Sequence, residues 1–136
     1  MSQQLFDFDA EFRLGIEEID AEHSKLVGML NEVHTLLSQG KRAEARTYFS
    51  QALGLYVNEH FSHEEAFMER IGFPQLEEHR KIHENFKKAF QDQQPLIESQ
   101  DDTAFRYALT DAYTWIITHI GKTDRKYAKF YLAATA

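Results

Sequence analysis

The 136-residue sequence has no cysteine, only two prolines and six glycines, and fewer basic than acidic residues. Without cysteine there can be no disulfide, no thiolate zinc site and no iron–sulfur ligation, so any bound metal must use nitrogen and oxygen. Turn-forming residues are scarce, and both prolines, Pro74 and Pro95, fall where helix ends are expected. Lys and Arg number 15 against 22 Asp and Glu, a formal charge of −7, which argues against a surface built for nucleic-acid phosphates. No apolar run reaches the roughly 18 residues that suggest a membrane span, and residues 1–11 lack the basic and apolar regions of a signal peptide. These deficits point to an all-α, soluble, cytoplasmic chain with no nucleic-acid partner and no membrane insertion. At this length it is expected to be one domain that buries its own core.

What is present is apolar periodicity. Phe6, Phe8, Phe12, Leu14 and Ile16 alternate with polar residues, the period of an extended segment, so residues 1–19 are expected to form an arm across a helical body. Asp20 can cap a first helix of about residues 20–39, with Leu26, Val27, Leu30, Val33 and Leu37 inward, His23 on the same side and Gly40 as its stop. A second helix, about 42–71, would span roughly 45 Å. Its inward stripe is Phe49, Ala52, Leu53, Tyr56, Val57, His60, Glu64, Phe67, Met68 and Ile71, and Gly72 and Pro74 end it. The third, about 75–94, carries Leu76, His79, His83, Phe86 and Phe90 on one seam and should stop before Pro95. The fourth, about 102–132, carries Phe105, Ala108, Leu109, Ala112, Trp115, Ile116, His119, Ile120, Tyr127 and Phe130, with Asp124 five residues after His119. Four amphipathic helices with short connections pack most simply as an up-down-up-down bundle, a single domain of residues 1–136.

Five histidines (His23, His60, His79, His83, His119) and two carboxylates (Glu64, Asp124) therefore face inward. A lone inward histidine is ordinarily a hydrogen-bonded core residue. Five in one core would each need partners for both ring nitrogens, and the stripes carry few Ser, Thr or Asn to supply them. His34 reads as a boundary residue, and His63, turned about 100° from Glu64, as solvent-facing and outside the ligand set. The zinc-protease pattern His-Glu-x-x-His is absent, since Phe67 stands where its second histidine would be. The Glu-x-x-His pattern of carboxylate di-iron bundles is absent too, because no histidine has a glutamate three residues before it. Seven ligands exceed what one six-coordinate ion can take, whereas two such ions offer twelve positions. If both carboxylates bridge, the protein fills nine of these, a shared oxygen fills two more, and one stays open.

The motifs FRLGIEEIDAEH (12–23), HFSHEEAFM (60–68), GFPQLEEHRKIH (72–83) and WIITHIGKTDRKY (115–127) resemble the hemerythrin family, more closely its bacterial single-domain members, the bacteriohemerythrins. The resemblance covers nearly the whole chain, and the order His, His-x3-Glu, His-x3-His, His-x4-Asp is highly specific. It implies two non-haem iron ions per chain with an oxo or hydroxo bridge, both bridged by Glu64 and Asp124. His79, His83 and His119 would hold one iron, and His23 and His60 the other, with O2 as ligand at the open position. Leu26, Phe61, Trp115, Ile116 and Ile120 would be expected near the gas pocket, Ile116 standing where leucine is common. The implied function is reversible O2 carriage, storage or delivery rather than catalysis. The alternatives are an oxygen, redox or nitric oxide sensor acting through a signalling protein, and a di-iron oxidase or peroxidase. An O2-consuming or signalling protein is the partner these readings imply.

Overall fold

The structure, a computed structural model, describes residues 12–98 and 101–135. The expected arm therefore lies for residues 1–11 outside the described residues. Over 12–16 the alternation holds, with Phe12, Leu14 and Ile16 buried and Arg13 and Gly15 exposed. Four helical rods follow, and among the described residues there is no strand. They are α1 (Glu17–Ser38), α2 (residues 42–70), α3 (Leu76–Glu98) and α4 (residues 102–135). α2 and α4 are each interrupted by a π-helical turn, Tyr48–Leu53 in α2 and His119–Thr123 in α4. This is the all-α four-helix bundle that the sequence implies.

The helix ends follow local chemistry. Asp20, expected as a cap, lies inside the first turn of α1, and the N-cap position is Ile16, which has no side-chain cap. Asp20 instead turns back and accepts hydrogen bonds from Leu14 N (2.7 Å) and Gly15 N (3.0 Å), tying the incoming segment to the helix. Gly40 (φ 77°) and Gly72 (φ 69°) adopt the left-handed conformation that L side chains avoid. Each closes a helix in the same way: Lys41 N and Gly40 N donate to Leu36 O and Leu37 O, and Phe73 N and Gly72 N to Met68 O and Glu69 O. α3 does not stop before Pro95 but continues to Glu98. Proline that near a helix end costs one backbone bond, and tertiary packing offsets it. Ile97 is fully buried, Gln94 donates to Ser50 O, and Ser50 Oγ donates to Glu98.

The core falls into two apolar clusters. The larger includes Leu26, Leu30, Phe49, Phe61, Phe105, Ile116 and Ile120, and the smaller Ile19, Phe67, Met68, Phe73 and Tyr127. Along α1, α2 and α4, His23, Glu64 and Asp124 fall between residues of the first cluster and residues of the second. The bundle is thus cut by one buried polar layer, which must be satisfied from within.

Candidate metal centre

Each rod contributes to that layer. α1 supplies His23; α2 supplies His60 and Glu64, one turn apart; α3 supplies His79 and His83, also one turn apart; α4 supplies His119 and Asp124. None of the seven is more than 3% exposed. His119 and Asp124 are five residues apart, which in a regular α-helix leaves side chains about 140° apart. The π turn removes this conflict. Asp124 N donates to His119 O at 2.8 Å, a bond five residues back rather than four, so the wider turn carries both side chains to the same face.

The ligand atoms form two overlapping groups, Glu64, His79, His83, His119 and Asp124 in one and His23, His60, Glu64 and Asp124 in the other, each within 4.8 Å. Both carboxylates belong to both groups. Around Glu64, Oε1 lies 3.2 Å from His79 Nε2 and 2.9 Å from His83 Nε2, and Oε2 lies 3.2 Å from His23 Nε2 and 3.3 Å from His60 Nε2. Around Asp124, Oδ1 lies 3.0 Å from His79 Nε2 and 2.9 Å from His119 Nε2, and Oδ2 lies 3.1 Å from His23 Nε2.

A purely hydrogen-bonded network fits this arrangement poorly. His119 Nε2 sits 2.9 Å from His83 Nε2 and 3.2 Å from His79 Nε2, nitrogen against nitrogen, where repeated donor–acceptor roles conflict. Both oxygens of Asp124, together with His60 Nε2, His23 Nδ1 and His119 Nδ1, are buried without a well-directed hydrogen-bond partner among the described residues. A bound metal would account for the convergence. Adjacent donors on a six-coordinate ion with bonds of about 2.1 Å lie about 3.0 Å apart, close to the spacing of these nitrogens and oxygens. A donor set of imidazole and carboxylate suits first-row transition metals, iron among them.

A second tier of residues braces the first. His60 Nδ1 donates to Glu22 Oε1 (2.7 Å), and His83 Nδ1 to Glu65 Oε2 (2.8 Å). The buried Tyr127 hydroxyl donates to Glu64 Oε2 (2.8 Å). His63 is exposed, as its helix position implies, yet its Nδ1 donates to Glu22 Oε2 at 2.8 Å, one carboxylate away from His60. Glu22, Glu65 and Tyr127 were not among the sequence-derived site residues. Glu22 precedes His23 and Glu65 follows Glu64, so each points to a helix seam where only the packing reveals the imidazole it meets. His34, half-buried, is not part of the cluster.

Protons partly take the place of metal in this geometry. Burial alone would push His23 and His119 down, but Asp124 and Glu64 outweigh it and hold both at about 9. For His60 burial is likewise outweighed, by Glu64 and Glu22, and it also stands at about 9. His79 is raised against burial by Asp124 and Glu64. Burial would raise Glu64 and Asp124, yet the imidazoles hold both well below the carboxylate range. Metal entering such a layer displaces protons. Burial, and then the Glu64 charge, push the Tyr127 hydroxyl well above its ordinary value, so it remains a donor.

Leu26, Phe61, Trp115, Ile116 and Ile120 come together with Val57 and the edges of His60 and His119 around a cavity of about 10 Å³. A void of that size is at the lower limit for one water, so anything larger could enter only by displacing side chains. Phe61 stacks on His83 (3.8 Å between centroids, 1° between planes) and Trp115 on His119 (4.5 Å, 11°). These rings fix the imidazoles and cover them with apolar surface.

Comparison with known proteins agrees with this architecture. The family model described as the hemerythrin HHE cation binding domain matches residues 14–131. A bacteriohemerythrin of Clostridium acetobutylicum is 32% identical over 127 residues, covering 90% of this chain and 98% of its own. Another, of Stenotrophomonas maltophilia, is 28% identical over 118 residues, covering 87% and 76%. A solved structure described as wild-type hemerythrin superposes with a TM-score of 0.78 at 24% identity, covering 95% of this chain and 98% of the other, which speaks to the fold.

Proposed function

The chain belongs to the hemerythrin family, and on that premise we propose that it is a di-iron protein that binds O2 reversibly, for carriage, storage or delivery. The observation that carries this reading is the pair of overlapping ligand groups that share Glu64 and Asp124. His79, His83 and His119 with the two carboxylates would offer five protein ligands to one iron, and His23 and His60 with the same carboxylates four to the other. With one further oxygen shared between them, one vacancy would remain on the His23/His60 side. An iron pair held there would supply reversible two-electron chemistry toward O2.

The chain's own residues support reversibility. Glu64 and Asp124 offset most of the charge that two divalent ions bring into a dry layer. The Tyr127 hydroxyl donates to Glu64 Oε2, and Glu22 and Glu65 orient His60 and His83, as outer partners of metal-bound histidines do. Leu26, Val57, Phe61, Trp115, Ile116 and Ile120 keep water and anions from the vacancy. No helix among the described residues is long and apolar enough to cross a membrane.

The test is a spectral cycle: iron-loaded, reduced protein is exposed to air, then returned to low oxygen without added reductant. Full reversal over several cycles is the expected result. Sustained O2 consumption with a reductant would instead identify an enzyme, and oxygen-dependent capture of a signalling protein would identify a sensor.

A further inference from the structure

The two histidine-bracing carboxylates differ in what holds them. Glu65, behind His83, also receives Arg80 Nε at 3.3 Å, a permanent cation. Glu22, behind His60, receives instead a hydrogen bond from His63, whose side chain is 54% exposed. Glu22 is a two-handed clamp: one oxygen takes the buried ring of His60 at 2.7 Å and the other takes His63 at 2.8 Å. Its backbone is fixed separately, since Tyr56 donates to Glu22 O at 3.0 Å. A surface cleft of about 240 Å³, lined by Glu18, Ile19, Glu22, His63, Ala66, Phe67 and Arg70, opens on this pair. The side of the centre served by Glu22 is also the one with four protein ligands rather than five, so it depends more on the alignment of each.

We propose that Glu22, held by the exposed His63, is the positioning residue of the His23/His60 half of the centre, so that a surface hydrogen bond sets how tightly that half holds its ion. This rests on the two-ion reading above. An outer carboxylate fixes the tautomer and ring angle of a ligating imidazole and strengthens it as a donor, and its loss typically weakens metal binding about 10- to 100-fold. Because His60 is 1% exposed, its bond to Glu22 is not a solvent-screened surface pair of negligible worth. His63 does not touch the centre and acts through Glu22.

The test is cobalt(II) titration of the metal-free full-length chain, read by equilibrium dialysis and visible absorption, with circular dichroism to verify helicity. The native chain, Glu22→Leu, Glu22→Gln, His63→Ala and Glu65→Gln are compared. In Glu22→Leu one of the two cobalt equivalents is expected to bind about 10- to 100-fold more weakly, the other being unchanged. Glu22→Gln, which keeps an acceptor for His60, should lose less, and His63→Ala should weaken the same equivalent by a smaller factor. Glu65→Gln should weaken the other equivalent, recognised by its different absorption. A merely structural role for Glu22 would weaken both equivalents together, and that result, or unchanged binding in Glu22→Leu, overturns the proposal. A native chain that binds fewer than two equivalents overturns the two-ion reading itself, a failure visible before any variant is compared.

Discussion

Helices α1 and α3 carry buried series in steps of four and three, whereas α2 and α4 also carry long unbroken runs of fours. In α1 the series is Ile19, His23, Leu26, Leu30, Val33, and in α3 it is His79, His83, Phe86. In α2 it is Ala45, Phe49, Leu53, Val57, Phe61, and in α4 it is Ala108, Ala112, Ile116, Ile120, Asp124, Ala128. A step of four turns an α-helix by about 400°, so each such step drifts about 40° and four in succession about 160°. Such a stripe would leave the core unless the helix widened. The π turns at Tyr48–Leu53 and His119–Thr123 are where it widens. Among the described residues, the two helices that carry them also supply Glu64 and Asp124, the carboxylates common to both candidate ligand groups, while α1 and α3 contribute histidines to those groups.

The comparison predicts opposite responses to deletion. Removing Gly28 from the regular α1 rotates Ile19, Asp20 and His23 about 100° relative to Leu30 and Val33, so the bundle should lose most of its helicity at 25 °C. Gly28 is exposed and an added Cβ there meets nothing within 4 Å, which assigns the effect to register rather than to packing. Removing Gly121 from the π turn converts a five-residue spacing into four and should leave the helix content close to native. Circular dichroism of the two variants decides the matter, and equal loss in both would mean that the π turn carries no register.

The run of fours was present in the sequence and could have revealed the π turns, but a stripe read with the α-helical period alone absorbs the drift unnoticed. The amphipathic stripes were legible because burying them is what holds the bundle together, and the inward histidines were legible because they occupy those stripes. Other features depend on what a second helix brings. Pro95 reads as a stop until Ile97 and Ser50 are seen to hold the turn beyond it. Asp20 reads as a cap until Leu14 and Gly15 are seen to lie within its reach. Glu22, Glu65 and His63 sit on faces that in one helix look like solvated surface, and only the crossing of helices shows which imidazole each serves.

Glu64 provides the next largest effect, since it joins a π-bearing helix to histidines of every rod. Glu64→Ala should release both ions and, in the metal-free chain, cost about 3–5 kcal/mol by leaving buried imidazoles and Tyr127 without their partner. Metal analysis and urea unfolding measure the two losses separately. Retention of both ions would show that Glu64 is not shared between them.

Ile116 lies on the run of fours one turn before His119 and is 2% exposed. Ile116→Ala should cost about 2–5 kcal/mol, retain two irons and bind O2, yet decay to the ferric state faster and admit azide faster. Both rates are to be compared at temperatures where native and variant remain folded. Unchanged rates would make Ile116 ordinary core and move the guarding role to Leu26 or Phe61.

A further effect, confined to the metal-free chain, concerns pH. His23, His60 and His119 have folded values of about 9 against an ordinary 6.5. Their pairing therefore stabilises the fold fully below about pH 6.5 and is lost as pH rises through about 9, because the folded state binds more protons than the unfolded one. Each such proton contributes a slope of about 1.4 kcal/mol per pH unit within that window. Denaturant titrations from pH 6 to 9.5 should show this decline in the metal-free chain and a much flatter profile in the iron-loaded one, where metal replaces the protons.

The most direct test of the central claim is the number of irons held per chain after anaerobic loading and removal of loosely bound metal. Seven ligands in two groups that share Glu64 and Asp124 predict two irons per native chain. One tightly held metal per chain, iron or zinc, would contradict the account.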